Sequence, residues 1–331
     1  MRSFYLCLSG LVLMTVLSCS KKDRVAATPP EVYIAGSERP VSGGDYNAVL
    51  WRSAGPAQKA TGGESFGVDV FISGNDIYTC GGIGDKAVYW KNGQATELTN
   101  GNFYATASAI FVKDNIVYVT GYERNSNGFY VAKYWKNGTE VVLSDGSTHA
   151  ETSDMIVVGN DIYIAGKDAA GALYWKNGTP FVIGSSNIIL RKIFVENNDV
   201  YVAGGNYTSA GTVTAAYWKN GNEVKLTADN AYGSIMDIFV QNGVVYAAGY
   251  EKIGSSNVAR YWKNGEGVTI SDPLARGSYA FGIALRGKEL FVGFNEDTPD
   301  YIPRTRYWHN GQVTTLSETG YRTEGSAIAL K

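Results

Sequence analysis

From Glu31 onward the chain is a succession of short apolar runs, each followed by residues that tolerate a left-handed backbone. One word recurs as Val32-Tyr33-Ile34-Ala35-Gly36, IYTCG from Ile77, VYVTG from Val117, IYIAG from Ile162, VYVAG from Val200 and VYAAG from Val245. Leu290-Phe291-Val292-Gly293 is its last, altered copy. A second word precedes it: VFI from Val70, IFV from Ile110, MIV from Met155, and IFV from Ile193 and from Ile238. Ile283-Ala284-Leu285 and Ile328-Ala329-Leu330 complete that set. A third word, Tyr-Trp-Lys-Asn-Gly, starts at Tyr89, Tyr134, Tyr174, Tyr217 and Tyr261, with Tyr307-Trp308-His309-Asn310-Gly311 a sixth copy and Leu50-Trp51-Arg52 a degenerate first. All seven tryptophans fall at this position. Their mean spacing of about 43 residues is the period of propeller repeats.

Each unit reads as four short antiparallel strands. Strand A is the IFV word, strand B the VYVAG word, strand C ends in Tyr-Trp, and strand D is a run such as Glu140–Leu143 or Glu223–Leu226. Gly74-Asn75, Asp114-Asn115, Gly159-Asn160, Asn197-Asn198, Asn242-Gly243 and Gly287-Lys288 separate A from B, and Asn-Gly separates C from D. These residues suit the positive φ of two-residue hairpin turns. The pattern predicts an all-β, seven-bladed β-propeller of four-stranded antiparallel blades over residues 31–331, a monomeric ring. Successive strand residues point to opposite faces, so Tyr134 and Trp135 are both buried only if neighbours pack both faces, as in a blade. Burying one aromatic removes ~150–250 Å² from water, about 4–6 kcal/mol as an upper value at ~25 cal/mol/Å². The tryptophans are therefore read as blade packing rather than as a sugar-binding ladder. Because the body begins with strand B and ends with strand A, the last strand is expected to complete the first blade and close the ring. Cys80 takes a slot held elsewhere by Ala or Thr and is expected to be buried and inert.

The alternating YWKNG and VYVAG words resemble those of a group of exported propeller lipoproteins of Bacteroidetes-type bacteria, and are similar in kind to kelch and WD repeats without their signature dipeptides. The resemblance covers residues 31–331 and transfers no catalytic residue. The N-terminus agrees with it. Arg2 precedes an apolar stretch of 14 residues from Phe4 to Leu17, shorter than a bilayer span. Val16-Leu17-Ser18-Cys19 resembles a bacterial lipobox, which implies a signal peptide over 1–18, lipidation of Cys19, a tether over 19–30, and membrane attachment at the cell envelope, the outer membrane included. With Cys7 and Cys19 so used, Cys80 is left without a disulfide partner.

Composition narrows the function further. Of 331 residues, 40 are Gly, 23 are Tyr and only 18% are charged, which is too aromatic and apolar for a disordered chain. Lys and Arg number 29 against 31 Asp and Glu, so no basic footprint is offered to nucleic acid. His149 and His309 are expected on opposite faces, and no metal, cofactor or Ser-His-Asp set is assembled from them.

Turns A–B and C–D are short, whereas the B–C and D–A connections vary in length on the other face, where binding is expected. The D–A connections lead to the channel mouth and carry Tyr104, His149, Glu151, Tyr232, Arg276, Tyr279, Tyr321, Arg322 and Glu324; the B–C connections add Tyr122, Glu123, Tyr250 and Glu251. Tyrosine faces with fixed charges suit a glycan or a protein segment. Asp69, Asp154, Lys192 and Asp237 share one register before the IFV word, which offers oxygens near the axis to a cation or water. The expected function is a non-catalytic envelope binding propeller. The alternatives are a polysaccharide hydrolase or lyase working through paired rim carboxylates (Glu123 with Glu251, or Glu151 with Glu324), and an assembly module of an envelope complex.

Overall fold

The structure, a computed structural model, describes residues 29–60, 63–208 and 211–331. The expected signal peptide, Cys19 and the tether up to residue 28 lie outside the described residues. Blade 1 contains β1 (Val32–Pro40), β2 (Asn47–Arg52) and β3 (Gln58–Lys59). Blade 2 contains β4 (Ser65–Ser73), β5 (Asp76–Ile83), β6 (Lys86–Lys91) and β7 (Gln94–Glu97); blade 3, β8 (Ala105–Lys113), β9 (Ile116–Arg124), β10 (Tyr130–Lys136) and β11 (Thr139–Val142). Blade 4 contains β12 (Glu151–Val158), β13 (Asp161–Asp168), β14 (Gly171–Lys176) and β15 (Thr179–Gly184); blade 5, β16 (Ile188–Glu196), β17 (Asp199–Tyr207), β18 (Val213–Lys219) and β19 (Asn222–Lys225). Blade 6 contains β20 (Gly233–Gln241), β21 (Val244–Ile253), β22 (Ser256–Lys263) and β23 (Glu266–Thr269); blade 7, β24 (Gly277–Arg286), β25 (Glu289–Asp297), β26 (Pro303–His309) and β27 (Gln312–Thr315). The last strand, β28 (Tyr321–Leu330), pairs antiparallel with β1 from Val32↔Leu330 to Pro40↔Tyr321 and supplies strand A of blade 1. Seven four-stranded sheets result, and the ring is closed as the word order predicts.

Strand A of each blade touches its counterparts in both neighbouring blades, so the seven A strands surround the axis. The core is a set of wedges between adjacent blades. Tyr78 and Cys80 of blade 2 pack with Ile110, Val119 and Trp135 of blade 3, and Tyr118 and Ala132 of blade 3 pack with Met155, Leu173 and Trp175 of blade 4. Trp51, Trp90, Trp135, Trp175, Trp218 and Trp262 are buried, while Trp308 is half-buried against Tyr261 with ring centroids 5.3 Å apart. The tyrosine of the YWKNG word is only half-buried, from Tyr89 to Tyr307, because its face meets the next blade near the exposed strand D. The tyrosine of strand B takes the deeper position in blades 1 to 5, as Tyr33, Tyr78, Tyr118, Tyr163 and Tyr201. Burial holds the Cys80 thiol well above its ordinary pKa, which keeps it protonated and unreactive.

The turn chemistry is as expected, with one addition. In the six Asn-Gly turns the Asn φ values lie between 48° (Asn137) and 52° (Asn92), followed by positive-φ Gly. In five of them the Asn side chain also accepts a hydrogen bond from the first apolar residue of strand B: Asn92 Oδ1 from the Ile77 amide at 2.9 Å, and likewise Asn137 from Val117, Asn177 from Ile162, Asn220 from Val200, and Asn264 from Val245. The preceding Lys closes the corner by pairing with Asp at the start of strand B in three blades, as Lys91–Asp76, Lys176–Asp161 and Lys219–Asp199. Asn is therefore selected both for its backbone conformation and for its acceptor oxygen.

A second repeated feature has no fixed residue type. Every A strand carries a β-bulge at one register, with Val68, Ser108, Ser153, Arg191, Met236, Phe281 and Ser326 as the extra residues. The bulge pushes a carbonyl of strand A against the Gly of the VYVAG word. A Cβ on Gly121 would overlap the Thr106 carbonyl oxygen, and one on Gly81 or Gly204 would overlap those of Phe66 or Ile189. Bulges of this kind sharpen strand twist and re-aim side chains beside the channel.

Candidate functional site

Pairing of strands A and B continues well beyond the repeated words. Several candidates expected in connections are therefore strand residues: Glu151, Tyr279, Tyr321, Arg322 and Glu324 lie in strand A elements, and Tyr122, Glu123, Tyr250 and Glu251 in β9 and β21. Tyr104, His149, Tyr232 and Arg276 remain in the D–A connections. A single cavity of about 1010 Å³ runs along the axis. Of the candidates it gathers Tyr104, Tyr122, Glu151, Tyr279 and Glu324, together with Phe66, Lys167, Arg191 and Tyr207. Glu151 enters from blade 4 and Glu324 from blade 1, three blades apart around the ring.

The tyrosines form a fixed frame. Tyr130 sits between Tyr122 and Tyr104, with ring centroids 5.0 Å and 6.2 Å away. His149 packs on Tyr130 at 5.1 Å and accepts the Tyr130 amide on Nδ1 at 3.1 Å, so this histidine fastens a D–A loop to strand C. Burial pushes the hydroxyls of Tyr104, Tyr122 and Tyr279 up, with Glu151 adding to the first two shifts and Glu324 to the third. All three stay neutral hydrogen-bond donors at pH 7. Glu151 is held by Lys167 at 3.2 Å.

Other candidates have structural partners away from the cavity. Glu123 pairs with Lys133 at 2.7 Å inside blade 3, and Glu251 pairs with Arg260 inside blade 6. Glu296 pairs with Arg306 in blade 7 in the same manner, each base standing just before its Tyr-Trp. Tyr232 and Tyr250 pack on each other at 6.3 Å. Arg276 lies over the Tyr301 ring at 3.6 Å, Arg322 donates to the Tyr301 carbonyl at 3.0 Å, and Tyr321 receives the Lys59 ammonium at 4.2 Å.

Deeper in the cavity, the shared register of Asp69, Asp154, Lys192 and Asp237 becomes an ionic hub. The cation is supplied by the chain: Lys192 Nζ stands 3.0 Å from Asp154 Oδ1 and 3.7 Å from Asp69 Oδ1. Reaching from blade 5 to carboxylates of blades 4 and 2, the ammonium spans the axis. Each Asp also ties its blade to the next. Asp69 Oδ2 accepts the Ile110 amide at 3.0 Å, Asp154 Oδ2 that of Ile193 at 2.8 Å, and Asp237 Oδ2 that of Ile283 at 2.8 Å. These amides lie on the inner edges of strands, where a partner strand is missing. Burial raises Asp154 to about 7 and Asp237 to about 6, the Lys192 charge opposing both shifts. Burial pulls Lys192 down, but the three carboxylates outweigh it and keep its pKa well above the ordinary value. Among the described residues no group of three His, Cys, Asp or Glu has metal-binding geometry.

Sequence reasoning missed Lys167, Arg191, Thr152 and Ser153 as lining residues. Ser153 and Arg191 are the extra residues of their bulges, and only the constant Gly opposite hinted at a bulge.

No family model matches the sequence, and no curated protein matches it. Among solved structures the chain is similar to a puromycin hydrolase, with 13% identity and a TM-score of 0.60 over 89% of this chain and 52% of that one. It is also similar to a puromycin-hydrolyzing peptidase of Mycobacterium tuberculosis, with 11% identity and a TM-score of 0.58 over 87% and 51%. The β-propeller domain of the Trilobed protease from Pyrococcus furiosus matches at 9% identity and a TM-score of 0.54, over 88% and 95%. The chain thus spans about half the length of the first two proteins and nearly all of the third, and what is shared is the propeller fold. The Pyrococcus domain has an open velcro topology, whereas β28 closes the ring here.

Proposed function

We propose that the protein is a non-catalytic binding propeller of the bacterial cell envelope, held by a lipid on Cys19, that takes a glycan or protein segment into the channel mouth. The observation that carries this reading is the gathering of Tyr104, Tyr122, Tyr279, Glu151 and Glu324 around one cavity of about 1010 Å³. Neutral phenols beside carboxylates hold a ligand by stacking and hydrogen bonding. The placement of the acids supports binding over hydrolysis: Glu123 and Glu251 are committed to bases within their blades, and Glu151 and Glu324 come from distant blades. A glycan and peptide array run beside a hydrolysis screen tests the reading. Saturable binding without turnover, lost in Tyr122→Ala, is expected. Turnover abolished by Glu151→Gln and Glu324→Gln would replace it with a polysaccharide hydrolase. Palmitate incorporation in the parent chain but not in Cys19→Ser tests the anchor.

A further inference from the structure

The rim where blade 7 meets blade 1 breaks two local rules of stable structure. The first concerns a turn that recurs in the B–C connections of blades 3, 5 and 7. The Gly128 amide donates to the Asn125 carbonyl at 2.9 Å, that of Gly211 to Thr208 at 3.0 Å, and that of Tyr301 to Thr298 at 2.9 Å. The donor residue has a left-handed backbone each time, with φ of 88°, 77° and 62°. Glycine adopts that conformation freely, whereas a tyrosine there is strained. Every other non-glycine residue with positive φ among the described residues is Asn or Asp. Strain of this kind is concentrated at ligand sites. The Tyr301 side chain it presents is stacked on one face by the Arg276 guanidinium at 3.6 Å, yet the residue is 61% exposed, which leaves the other face to solvent.

The second broken rule concerns charge. Arg39 and Arg322 stand directly opposite each other across β1 and β28, and like charges so placed destabilise a strand pair. Arg322 Nη2 donates to the Tyr301 carbonyl at 3.0 Å, so this pair adjoins the exposed ring, and Arg39 lies over Tyr46 at 4.8 Å. Among the described residues the arginine salt bridges are made by Arg52, Arg260 and Arg306, not by Arg39, Arg276 or Arg322. The nearby acids are turned elsewhere: Asp300 is bonded to the Thr298 hydroxyl, and Glu324 lines the axial cavity.

We propose that this rim is a second binding site, for an acidic glycan whose sugars carry a carboxylate on the ring. Arg39, Arg276, Arg322, Tyr46 and Tyr301 do not line the axial cavity, so the site is separate from the channel mouth and independent of what binds there. A uronate ring lies on the open face of Tyr301, and its carboxylate reaches the guanidinium forks that border that ring. A neighbouring carboxylate of the same chain sits against Arg39 and Arg322 and offsets their repulsion. An acidic side chain of a peptide brings the charge without the sugar ring.

The test is fluorescence anisotropy of the full chain with dye-labelled hexagalacturonate, against its neutral methyl ester and with hexaglutamate as competitor. The uronate is expected to saturate, the ester to bind about tenfold more weakly or less, and hexaglutamate not to displace the probe. Tyr301→Gly installs the residue that blades 3 and 5 use. Its Tm is expected to equal or exceed that of the parent while affinity falls about tenfold or more. Arg39→Gln, which removes the like-charge pair, is expected to behave in the same way. Hydroxyl-radical footprinting with the probe then protects Tyr301 and Tyr46 and leaves Tyr104 and Tyr122 labelled as before. Absence of saturation, equal binding of uronate and ester, or displacement by hexaglutamate overturns the inference. A lower Tm with unchanged affinity in Tyr301→Gly does so too, by making Tyr301 a turn residue only. Protection of Tyr104 and Tyr122 instead of Tyr301 places the uronate in the cavity, which removes the second site and leaves the binding reading of the mouth standing.

Discussion

The two ends of the ring are made by the same strands and differ in how strictly they repeat. At the end bearing the A–B and C–D turns, six of the seven blades solve one problem in one way: an Asn with φ near 50°, a Gly after it, and in five of them an Asn oxygen on the first amide of strand B. At the other end, equivalent positions of strand A hold Phe66, Thr106, Glu151, Ile189, Ser234, Tyr279 and Glu324, six residue types in seven blades. Backbone geometry that recurs in six blades demands the same residue in all six. Positions freed from that demand are where an asymmetric ligand site can be built on a symmetric scaffold.

The comparison is broken most severely by opening the ring. Deleting residues 325–331 removes the pairing of β28 with β1 from Val32↔Leu330 to Gly36↔Gly325 and the seam contacts of Asn295, whose Nδ2 donates to the Gly325 carbonyl at 2.9 Å and whose Oδ1 accepts the Gly325 amide at 2.8 Å. Loss of cooperative unfolding is expected in a calorimetric scan; an unchanged Tm would show that closure contributes nothing. Within the repeated scaffold, Trp135→Ala empties a wedge between blades 3 and 2 and is expected to cost about 3–5 kcal/mol in urea denaturation, with ligand affinity unaltered in whatever protein remains folded. The ionic hub gives a smaller effect with a definite sign. Asp237 has its pKa raised from near 4 to about 6, so the folded state holds its proton more tightly than the unfolded state. Its contribution to stability is present below about pH 4 and is lost as pH rises through 6. Asp237→Asn, mimicking the protonated acid, should gain about 1–2 kcal/mol on the parent between pH 4.5 and 8, after loss of one amide acceptor bond is counted. A gap that does not widen with pH would refute the shift. The smallest pair contrasts the ends directly. Asn177→Ala should cost about 1–2 kcal/mol in stability and leave binding intact, since it removes the acceptor for the Ile162 amide and puts Ala at a φ of 51°. Glu324→Gln should change stability by less than about 0.5 kcal/mol while weakening the ligand. The reverse assignment would mean that repetition does not separate scaffold from site.

The same contrast explains what could be read from the chain. Blade number, strand order, ring closure and turn positions were legible because Trp135, with six counterparts, and Asn137-Gly138, with five, recur at a mean spacing of about 43 residues. The bulges were not, since their extra residue ranges from Ser108 to Arg191 to Phe281 and only the opposing Gly is constant. Of the site, Tyr104, Glu151, Tyr279 and Glu324 were found because the D–A connections lead into the innermost strand. Glu123 and Glu251 looked equivalent to them, but their pairing with Lys133 and Arg260 depends on a diagonal contact across strands B and C that spacing alone does not reveal.

The measurement that bears most directly on the channel mouth as the binding site is hydroxyl-radical footprinting of the intact propeller, with and without a saturating ligand taken from the glycan and peptide array. Protection at Tyr104, Tyr122, Tyr207 and Tyr279, with Tyr89, Tyr174 and Phe181 labelled equally in both states, is the expected result. Saturation that leaves the four mouth tyrosines unprotected, or that protects the outer strands around Phe181 instead, would place the ligand elsewhere and contradict it.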